Sequence, residues 1–595
     1  MRITELLATG STQLVAKNYR KVKTLVNINF MIGGEAGQGV QAIGHVLGKV
    51  LARGGYHVFA DQDYESRVRG GHSFFRVRAS EAEIRAISEL VDILVALDKE
   101  SIDLHQKELA DQGIIIFDAD KAKDIGANSS LLPMPLERLA QESAKNKLMT
   151  NTVALGAALG VVSYDKQILS NVITEYFGAG DVGKANVAAA AAGYDYVKTN
   201  FKRDFSYKLT PIGDAKRMLL SGNEALALGA LAAGCKFMAA YPMTPTTTIM
   251  EYLASKAKDF DIAVVQPEDE IAAVNMVIGA SFAGVRSMTA TSGGGFCLMV
   301  EGLGLAGMTE TPIVVVLGQR AGPAIGLPTR TEQGDLEFAI HAAHGEFPRA
   351  VLAPASVEDA FWLTIKAFNL AEKYQTPVIL ITDQYLASSY ATVERFDLSK
   401  VTIDRGLLLS KEELAKLGEY KRHQITESGI SPRALPLEGG VLVVTDSDEH
   451  NEEGHLIEDA ETRTAMMQKR LRKIDGLRTE ISKPMVYGAT QPEITLLGWG
   501  STYGAIKEAV DLAMRDGLAI NLVHLNEIWP SPAEATARAL QGAKKIIAVE
   551  NNATAQLAHL LRAETGYQVT GKILKFDGRP FSAAHILSQL KQEVR

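Results

Sequence analysis

The sequence predicts an α/β protein made of three α/β domains. Its 595 residues exceed what a single hydrophobic core supports. Short apolar, β-rich runs alternate with helix-length segments along most of the chain. Several of those runs end on an aspartate or a glycine-rich turn, as buried parallel strands do where they leave the carboxyl edge of a sheet. The expected divisions are 1–205, 206–394, a charged and partly helical connector over 395–483, and 484–595.

In the first domain a β-rich run over 25–32 leads into Gly33-Gly-Glu-Ala-Gly-Gln-Gly39, and a helix is expected over 40–54. Runs at 93–97 and 114–117, followed by Asp98 and Asp118, read as buried strands. A glycine loop between strand and helix presents backbone N–H groups at a helix N-terminus, where an anion is stabilised. A tight turn that needs glycine for steric reasons explains the same residues. The spacing is not that of the usual dinucleotide fingerprint, and the lysine of a phosphate-binding P-loop is missing. Downstream, Ser66-Arg-Val-Arg-Gly-Gly-His-Ser73 adds two arginines and a histidine. Gly37, Gly39 and Arg69 are therefore the candidates for holding an anion, with a subunit contact as the alternative. The basic stretch 198–208 reads as a linker.

The second domain starts a helix at Ser221-Gly-Asn-Glu224 and has strands expected at 237–240, 263–266, 287–291, 313–317 and 378–382. Its motifs are Tyr241-Pro-Met-Thr-Pro-Thr-Thr-Thr248, Pro267-Glu-Asp-Glu-Ile-Ala-Ala273, Ala290-Thr-Ser-Gly-Gly-Gly-Phe-Cys297 and Gly326-Leu-Pro-Thr-Arg-Thr-Glu-Gln333. Glu268, Asp269 and Glu270 precede an apolar helix; complementing its dipole explains all three, while Glu270 could also be held beside a buried sheet edge. The triple-glycine loop lets backbone approach a planar ligand with no Cβ in the way. Thr244 is either a cap or a donor to a substrate carboxylate. Arg330 is either a surface ion pair or the planar fork that grips that carboxylate.

The connector carries an acidic run, Asp446-Ser-Asp-Glu-His-Asn-Glu-Glu453, which reads as a solvated loop ahead of a metal site, and a helical, ion-pair-rich stretch over 457–474. The last domain resumes with strands at 494–497, 521–525 and 545–549. A net charge of −8 gives no reason to expect nucleic acid or an anionic membrane as partner. Two cysteines, Cys235 and Cys297, build neither a disulfide framework nor a four-cysteine cluster and fit a reducing cytoplasm. No secretory leader is expected in the first 30 residues, and no apolar run reaches the roughly 18 residues of a membrane span.

Taken together, Tyr-Pro-x-Thr-Pro, Glu-Asp-Glu-x-Ala-Ala, Thr-Ser-Gly-Gly-Gly and Gly-Leu-Pro-Thr-Arg resemble the alpha subunit of 2-oxoacid:ferredoxin oxidoreductases, most closely the 2-oxoglutarate type. The Gly33–Gly39 block with its Arg-Gly-Gly-His continuation resembles that family's gamma domain, here fused ahead of alpha, and Val549-Glu-Asn-Asn552 with Gln556 also matches its style. The resemblance implies a gamma-type domain, a transketolase-like domain binding the pyrimidine of thiamine diphosphate, and a C-terminal transketolase-C-like domain. It implies oxidative decarboxylation of 2-oxoglutarate with coenzyme A to succinyl-CoA, carbon dioxide and reduced ferredoxin, or the reverse carboxylation. Glu270 would contact the aminopyrimidine, with Glu268 as its competitor. Tyr241, Pro242, Thr291, Ser292 and Gly293 would line the cofactor, and Thr244 and Arg330 the substrate carboxylate. His45, Lys49 and Arg349 are weaker candidates for the distal carboxylate, and Gly37, Gly39 and Arg69 for coenzyme A.

Neither the family's magnesium–diphosphate pattern nor a cysteine set is present, so Mg2+ and a 4Fe-4S cluster are expected on a separate beta subunit, the two chains pairing as (alpha-beta)2. Met243 stands where the family often has Ile, and Gly294 where Pro is frequent. A broad 2-oxoacid or pyruvate oxidoreductase is the alternative within the enzyme class; a non-catalytic nucleotide-binding assembly module is the alternative outside it.

Overall fold

The structure is a computed structural model that describes residues 25–66, 70–121, 130–213 and 217–593. The chain forms two compact units. The first gathers the chain up to Ser221, residues 388–396 and the segment from Ser582; the second holds Gly222–Ala387 and Asp397–Phe581.

The first unit is built on a mixed eight-stranded sheet. Its strands include β1 (Asn27–Glu35), β2 (His57–Tyr64), β3 (His72–Ser80), β4 (Val91–Ala96), β5 (Leu109–Asp118) and β6 (Leu131–Met134). The order is β6-β5-β4-β1-β3-β2, completed by the short strands Tyr390–Val393 and Met218–Ser221. β1, β4, β5 and β6 run parallel, and every residue of β4 is buried, including Asp92, whose Oδ2 accepts from Asn29 N–H at 2.9 Å. β2 and β3 pair antiparallel, and their charges hid them from the apolar pattern. Arg76 bonds Asp61 at 2.6 and 2.9 Å, and the buried Arg78 donates to the Ala86 carbonyl at 2.7 Å. α1 (Val40–Arg53) presses Ile43, Val46, Leu47 and Val50 into the core, with α2 (Thr150–Val161) and α3 (Asp181–Asn200). The basic stretch expected as a linker follows α3 without regular structure, anchored in this core by one of its own residues, Phe205, and by Leu209 just beyond it.

The second unit carries two sheets. The first contains β7 (Phe237–Ala239), β8 (Ala263–Val265), β9 (Ser287–Ser292), β10 (Ile313–Gln319), β11 (Ala350–Leu352) and β12 (Pro377–Asp383), in the order β11-β12-β10-β9-β7-β8, all parallel. Helices α4 (Gly222–Ala232), α5 (Glu270–Phe282), α6 (Gly293–Met308) and α7 (Val357–Tyr374) accompany it, followed in the connector by α8 (Ala460–Glu480). The second sheet, from β13 (Met485–Gly488), β14 (Ile494–Trp499), β15 (Ile520–Leu525), β16 (Lys545–Glu550) and β17 (Gly571–Leu574), has the order β13-β15-β14-β16-β17, with α9 (Gln556–Thr565) after β16. Strand Glu527–Trp529 leaves this segment to pair antiparallel with β11, and one core runs through both sheets, joining Leu317, Val351 and Ile381 to Leu497, Trp499 and Val523.

Buried charge fastens the connector. Glu310 meets Lys469 and Lys473 of α8 and accepts from His423 Nδ1 at 2.9 Å, all with at most 1% exposure. Burial alone would raise the Glu310 carboxyl, but Lys469 and Lys473 hold it well below the ordinary carboxylate range. Burial keeps His423 neutral, so Nδ1 donates to Glu310 while Nε2 accepts from Thr445 Oγ1 at 2.9 Å. The acidic run is only partly solvated: Glu449 bonds Arg470 at 2.7 and 2.9 Å, and His450 is fully buried. Among the described residues no cluster of three His, Cys, Asp or Glu could hold a metal ion, and no helix is long and apolar enough to cross a membrane.

Candidate functional site: the first turn of α6

The three acids before α5 have three different fates. Glu268 is exposed, and Asp269 caps the helix, its Oδ1 accepting from Ala272 N–H at 2.7 Å. That cap turns the next residue inward, so Glu270 is only 4% exposed. Its Oε1 is buried and has no hydrogen-bond partner.

β9 delivers Thr291 and Ser292, both fully buried, to the N-terminus of α6. Ser292 is the N-cap residue, yet its hydroxyl does not cap the helix, and the buried Oγ has no partner. Gly295 is the third residue of that first turn, and its lack of a side chain is structural. A Cβ there would lie 2.1 Å from Thr291 Oγ1 and 2.5 Å from Glu270 Oε1. The Glu270 carboxylate therefore rests directly against the first turn of α6. Buried polar atoms are nearly always satisfied. Two unsatisfied oxygens beside a helix N-terminus make a cradle for a ligand that brings its own donors. An aminopyrimidine, flat and edged with N–H groups, fits that donor requirement and the glycine-opened space.

Around this cradle stand the other residues singled out from sequence. Tyr241 follows β7, 39% exposed, ahead of Pro242 and the Thr244–Pro245 cis peptide. Asn223 Nδ2 holds the turn by donating to the Pro245 carbonyl and Thr248 Oγ1, each at 2.7 Å, and Arg320 Nη1 donates to the Thr244 carbonyl at 2.9 Å. The turn meets the end of β9 through the weak contact of Thr291 Oγ1 with Met243 Sδ at 3.9 Å. Arg330 is partly buried at the end of a loop closed by Ala321 N–H donating to the Arg330 carbonyl at 3.2 Å and Arg330 N–H donating to the Leu327 carbonyl at 3.0 Å.

The reason for the C-terminal asparagines lies in the segment after Arg330. Gln333, fully buried, donates its N–H to the Asn551 carbonyl at 2.7 Å and its Nε2 to the Trp499 carbonyl at 2.9 Å, and accepts from Asn551 N–H at 3.1 Å. Asn552 Nδ2 donates to the Gln333 carbonyl at 3.2 Å, and Gln556 Nε2 to the Gly334 carbonyl at 2.7 Å. Two acids, Glu332 and Asp335, flank this pinned residue. Sequence reading passed over both, although two acids bracketing a glutamine beside Arg330 were visible. A Cβ on Gly293 would lie 2.8 Å from Asp335 Oδ2. Burial pushes the Asp335 carboxyl up to about 6 against the pull of Arg320, and burial with the neighbouring Asp335 charge pushes Glu332 up to about 7.

In the first unit, the Gly33–Gly39 loop follows β1. Gly39 has φ +76°, and Asn151 Nδ2, which donates to the Gln38 carbonyl at 3.0 Å, would lie 2.3 Å from a Cβ there. Gly37, at φ +99°, has open space around it, while Arg69 lies outside the described residues. Lys49 faces Glu175 at 3.7 Å, and burial lowers His45 to about 4. In the second unit, Arg349 is buried over the Phe347 ring and donates to the Ala342 carbonyl.

Residues 29–196 match the family profile for pyruvate ferredoxin/flavodoxin oxidoreductase, 228–469 that for the thiamine diphosphate-binding domain of pyruvate flavodoxin/ferredoxin oxidoreductase, and 492–586 that for core domain II of pyruvate:ferredoxin oxidoreductase. The chain is 35% identical to the 2-oxoacid:ferredoxin oxidoreductase subunit alpha of a Sulfolobus species, over 93% of this chain and 95% of the relative. It is 30% identical to the 2-oxoglutarate oxidoreductase subunit KorA of Mycobacterium tuberculosis, over 94% and 91%. A solved 2-oxoglutarate:ferredoxin oxidoreductase from Magnetococcus marinus, with 2-oxoglutarate, coenzyme A and succinyl-CoA bound, superposes with a TM-score of 0.89 at 32% identity, covering 96% of this chain and all of that one.

Proposed function

The chain belongs to the 2-oxoacid:ferredoxin oxidoreductases as an alpha subunit, and from that premise we propose that it is the fused gamma–alpha subunit of a 2-oxoglutarate:ferredoxin oxidoreductase. It supplies the pyrimidine-binding half of a thiamine diphosphate site. A separate beta subunit supplies Mg2+, the diphosphate contacts and a 4Fe-4S cluster, paired as (alpha-beta)2. The observation that carries this reading is Glu270 Oε1, buried without a partner against Gly295. The overall reaction takes 2-oxoglutarate, coenzyme A and two oxidised ferredoxins to succinyl-CoA, carbon dioxide, two reduced ferredoxins and a proton, or runs in reverse.

When bound, thiamine diphosphate supplies the carbanion chemistry by which a 2-oxo acid loses carbon dioxide. The protein's part is orientation and proton control. Glu270 Oε1 accepts from the aminopyrimidine edge, in a site dry enough to strengthen that bond. Tyr241, Pro242, Thr291, Ser292 and Gly293 line the ring's cradle. The Thr244 hydroxyl and the Arg330 fork hold the substrate's 1-carboxylate, a planar group that suits guanidinium. Gly37 and Gly39, with Arg69, are the candidate anchor for coenzyme A. The relatives and solved structure named for 2-oxoglutarate favour that substrate; those named for 2-oxoacids in general keep a broader specificity as the second reading. Its two cysteines are free, as a reducing cytoplasm would leave them.

In the complex reconstituted with its companion, Glu270→Gln is expected to lower turnover by about 10²–10⁴-fold, the usual contribution of an acid–base group. Turnover at the wild-type rate, or full activity from this chain purified alone, overturns the reading.

A further inference from the structure

The parallel sheet of the second unit has two edges, and the site derived so far uses only one. Thr291 and Ser292 stand at the carboxyl end of β9. α7 joins β11 to its parallel neighbour β12 and ends at Tyr374, just before β12 begins at Pro377, so the C-terminal half of α7 lies at the amino edge. There a cavity of about 640 Å³ opens between α7, residues 400–405 of the connector and the end of α8. That volume falls among those of sites for small organic molecules.

The walls are tied to one another, which makes the cavity preformed. Asn369 of α7 donates from Nδ2 to the Thr402 carbonyl at 2.8 Å and accepts from Asp404 N–H at 3.0 Å, and Lys366 Nζ donates to the Glu480 carbonyl at 2.6 Å. Trp362, Ile365 and Leu370 recur at helical spacing and give the cavity an apolar side. The indole of Trp362 is set by edge-on packing against Phe361, 4.9 Å between centroids at 86°. The other side is cationic: Lys366, Lys373, Lys400 and Arg405 face Asp404 and Glu480. Lys366 is matched by Glu527 at 2.7 Å and Lys373 by Glu480. Arg405 and Lys400 are matched poorly. Glu372 is shared by three guanidiniums, with Arg286 and Arg433 each at 2.9 Å and Arg405 at 2.5 Å, and the buried Arg405 Nε makes no hydrogen bond. The nearest acid to Lys400 is Asp397 at 3.8 Å, and the Lys400 side chain is 72% exposed. Burial lowers Arg286 and Arg433, and the charge of Arg405 adds to that against the pull of Glu372.

We propose that this cavity binds a nucleoside phosphate, with the base against Trp362 and the phosphate on the side of Lys400 and Arg405. A phosphate supplies the counter-charge that three guanidiniums divide too thinly, and its oxygens suit both a guanidinium and an ammonium. A base has the flat face that an indole stacks on, whichever base it is. Inorganic phosphate alone would leave the apolar side wet. The cavity lies at the edge of the sheet opposite the thiamine cradle, so the inference stands apart from the preceding reading.

The probe is adenosine monophosphate, titrated into the full chain by calorimetry and by tryptophan fluorescence. Wild type is expected to bind it saturably and to lose fluorescence on binding. Lys400→Ala removes an exposed cation without disturbing the core and should weaken binding by about 10-fold, the worth of a bond to a charged partner. Trp362→Leu should weaken it by about 10-fold through lost stacking, and should abolish the fluorescence change, because neither Trp499 nor Trp529 lines the cavity. Adenosine and inorganic phosphate, titrated separately, should each bind at least about 10-fold more weakly than the nucleotide. Competition by coenzyme A tells two sources of this chemistry apart: displacement identifies the occupant as the nucleotide end of that substrate, its absence a free nucleotide, and either upholds the site. No binding of the nucleotide by wild type overturns the proposal. So does equal binding by wild type and both variants, which places the nucleotide elsewhere, the Gly33–Gly39 turn included. Inorganic phosphate or octanoate binding as tightly as the nucleotide overturns it as well.

Discussion

Replacing Gly295 by alanine tests the geometry on which the functional reading stands. The added Cβ would lie 2.1 Å from Thr291 Oγ1 and 2.5 Å from Glu270 Oε1, both inside van der Waals contact, and Glu270 Cγ is a further neighbour at 2.8 Å. Overpacking of this kind costs about 1–3 kcal/mol. At about 2–4 °C per kcal/mol for a large domain, the melting temperature of the chain should fall by several degrees. The carboxylate must also retreat by about 1 Å, and a displacement of that size costs about 10²-fold in rate. Gly294 is the internal control: it is exposed, with nothing within 4 Å of its would-be Cβ. Gly294→Ala should therefore hold or raise the melting temperature, by up to the about 0.5–1 kcal/mol that alanine gains over glycine in a helix. Scanning calorimetry of the two variant chains, with turnover and thiamine diphosphate dependence of Gly295→Ala in the reconstituted complex, decides the matter. A Gly295→Ala enzyme with the wild-type melting temperature and rate would refute the close approach of Glu270 to α6.

Arg330→Met should lower kcat/KM for every 2-oxo acid tested by about 10–100-fold, the loss of about 1.5–3 kcal/mol in bonds to a charged partner; a steady-state panel with unchanged values would place the carboxylate clamp elsewhere. Glu310→Gln should leave Lys469 and Lys473 buried without a counter-charge and cost about 3–5 kcal/mol, read by denaturant unfolding at neutral pH. Because the Glu310 carboxyl is held well below its ordinary value, its stabilisation is present above the unfolded-state pKa and is lost as pH falls through the folded one. The variant should accordingly show a flatter acid limb, and a limb as steep as wild type would contradict the assignment.

Much of the fold was legible because buried parallel strands have little choice of residue. β4, β9, β10, β12, β14, β15 and β16 each overlap an apolar run read from sequence, and α5 begins where its acids stop. β2 and β3 escaped because Arg76, Arg78 and Asp61 sit in the strands and pair within the fold, which erases the alternation a half-buried strand would show. The anchoring of 198–208 was equally hidden, since a single buried residue, Phe205, with Leu209 just past its end, ties down a stretch whose remaining composition is that of a linker. In the site, the motif around Glu270 was readable as a motif, whereas the choice between Glu268 and Glu270 was not.

The amino-acid sequence by itself determined the α/β class, the glycine-opened turn and the family to which those motifs belong, because each depends on residues close together along the chain. Only the tertiary structure decided which carboxylate turns inward, what Asn551, Asn552 and Gln556 hold in place, and that Asp335 meets the first turn of α6. Those facts join segments separated by up to 222 residues, as between Gln556 and Gly334. Burial and unmet hydrogen bonding are properties of the space such distant segments enclose, and no local pattern of residues encodes them.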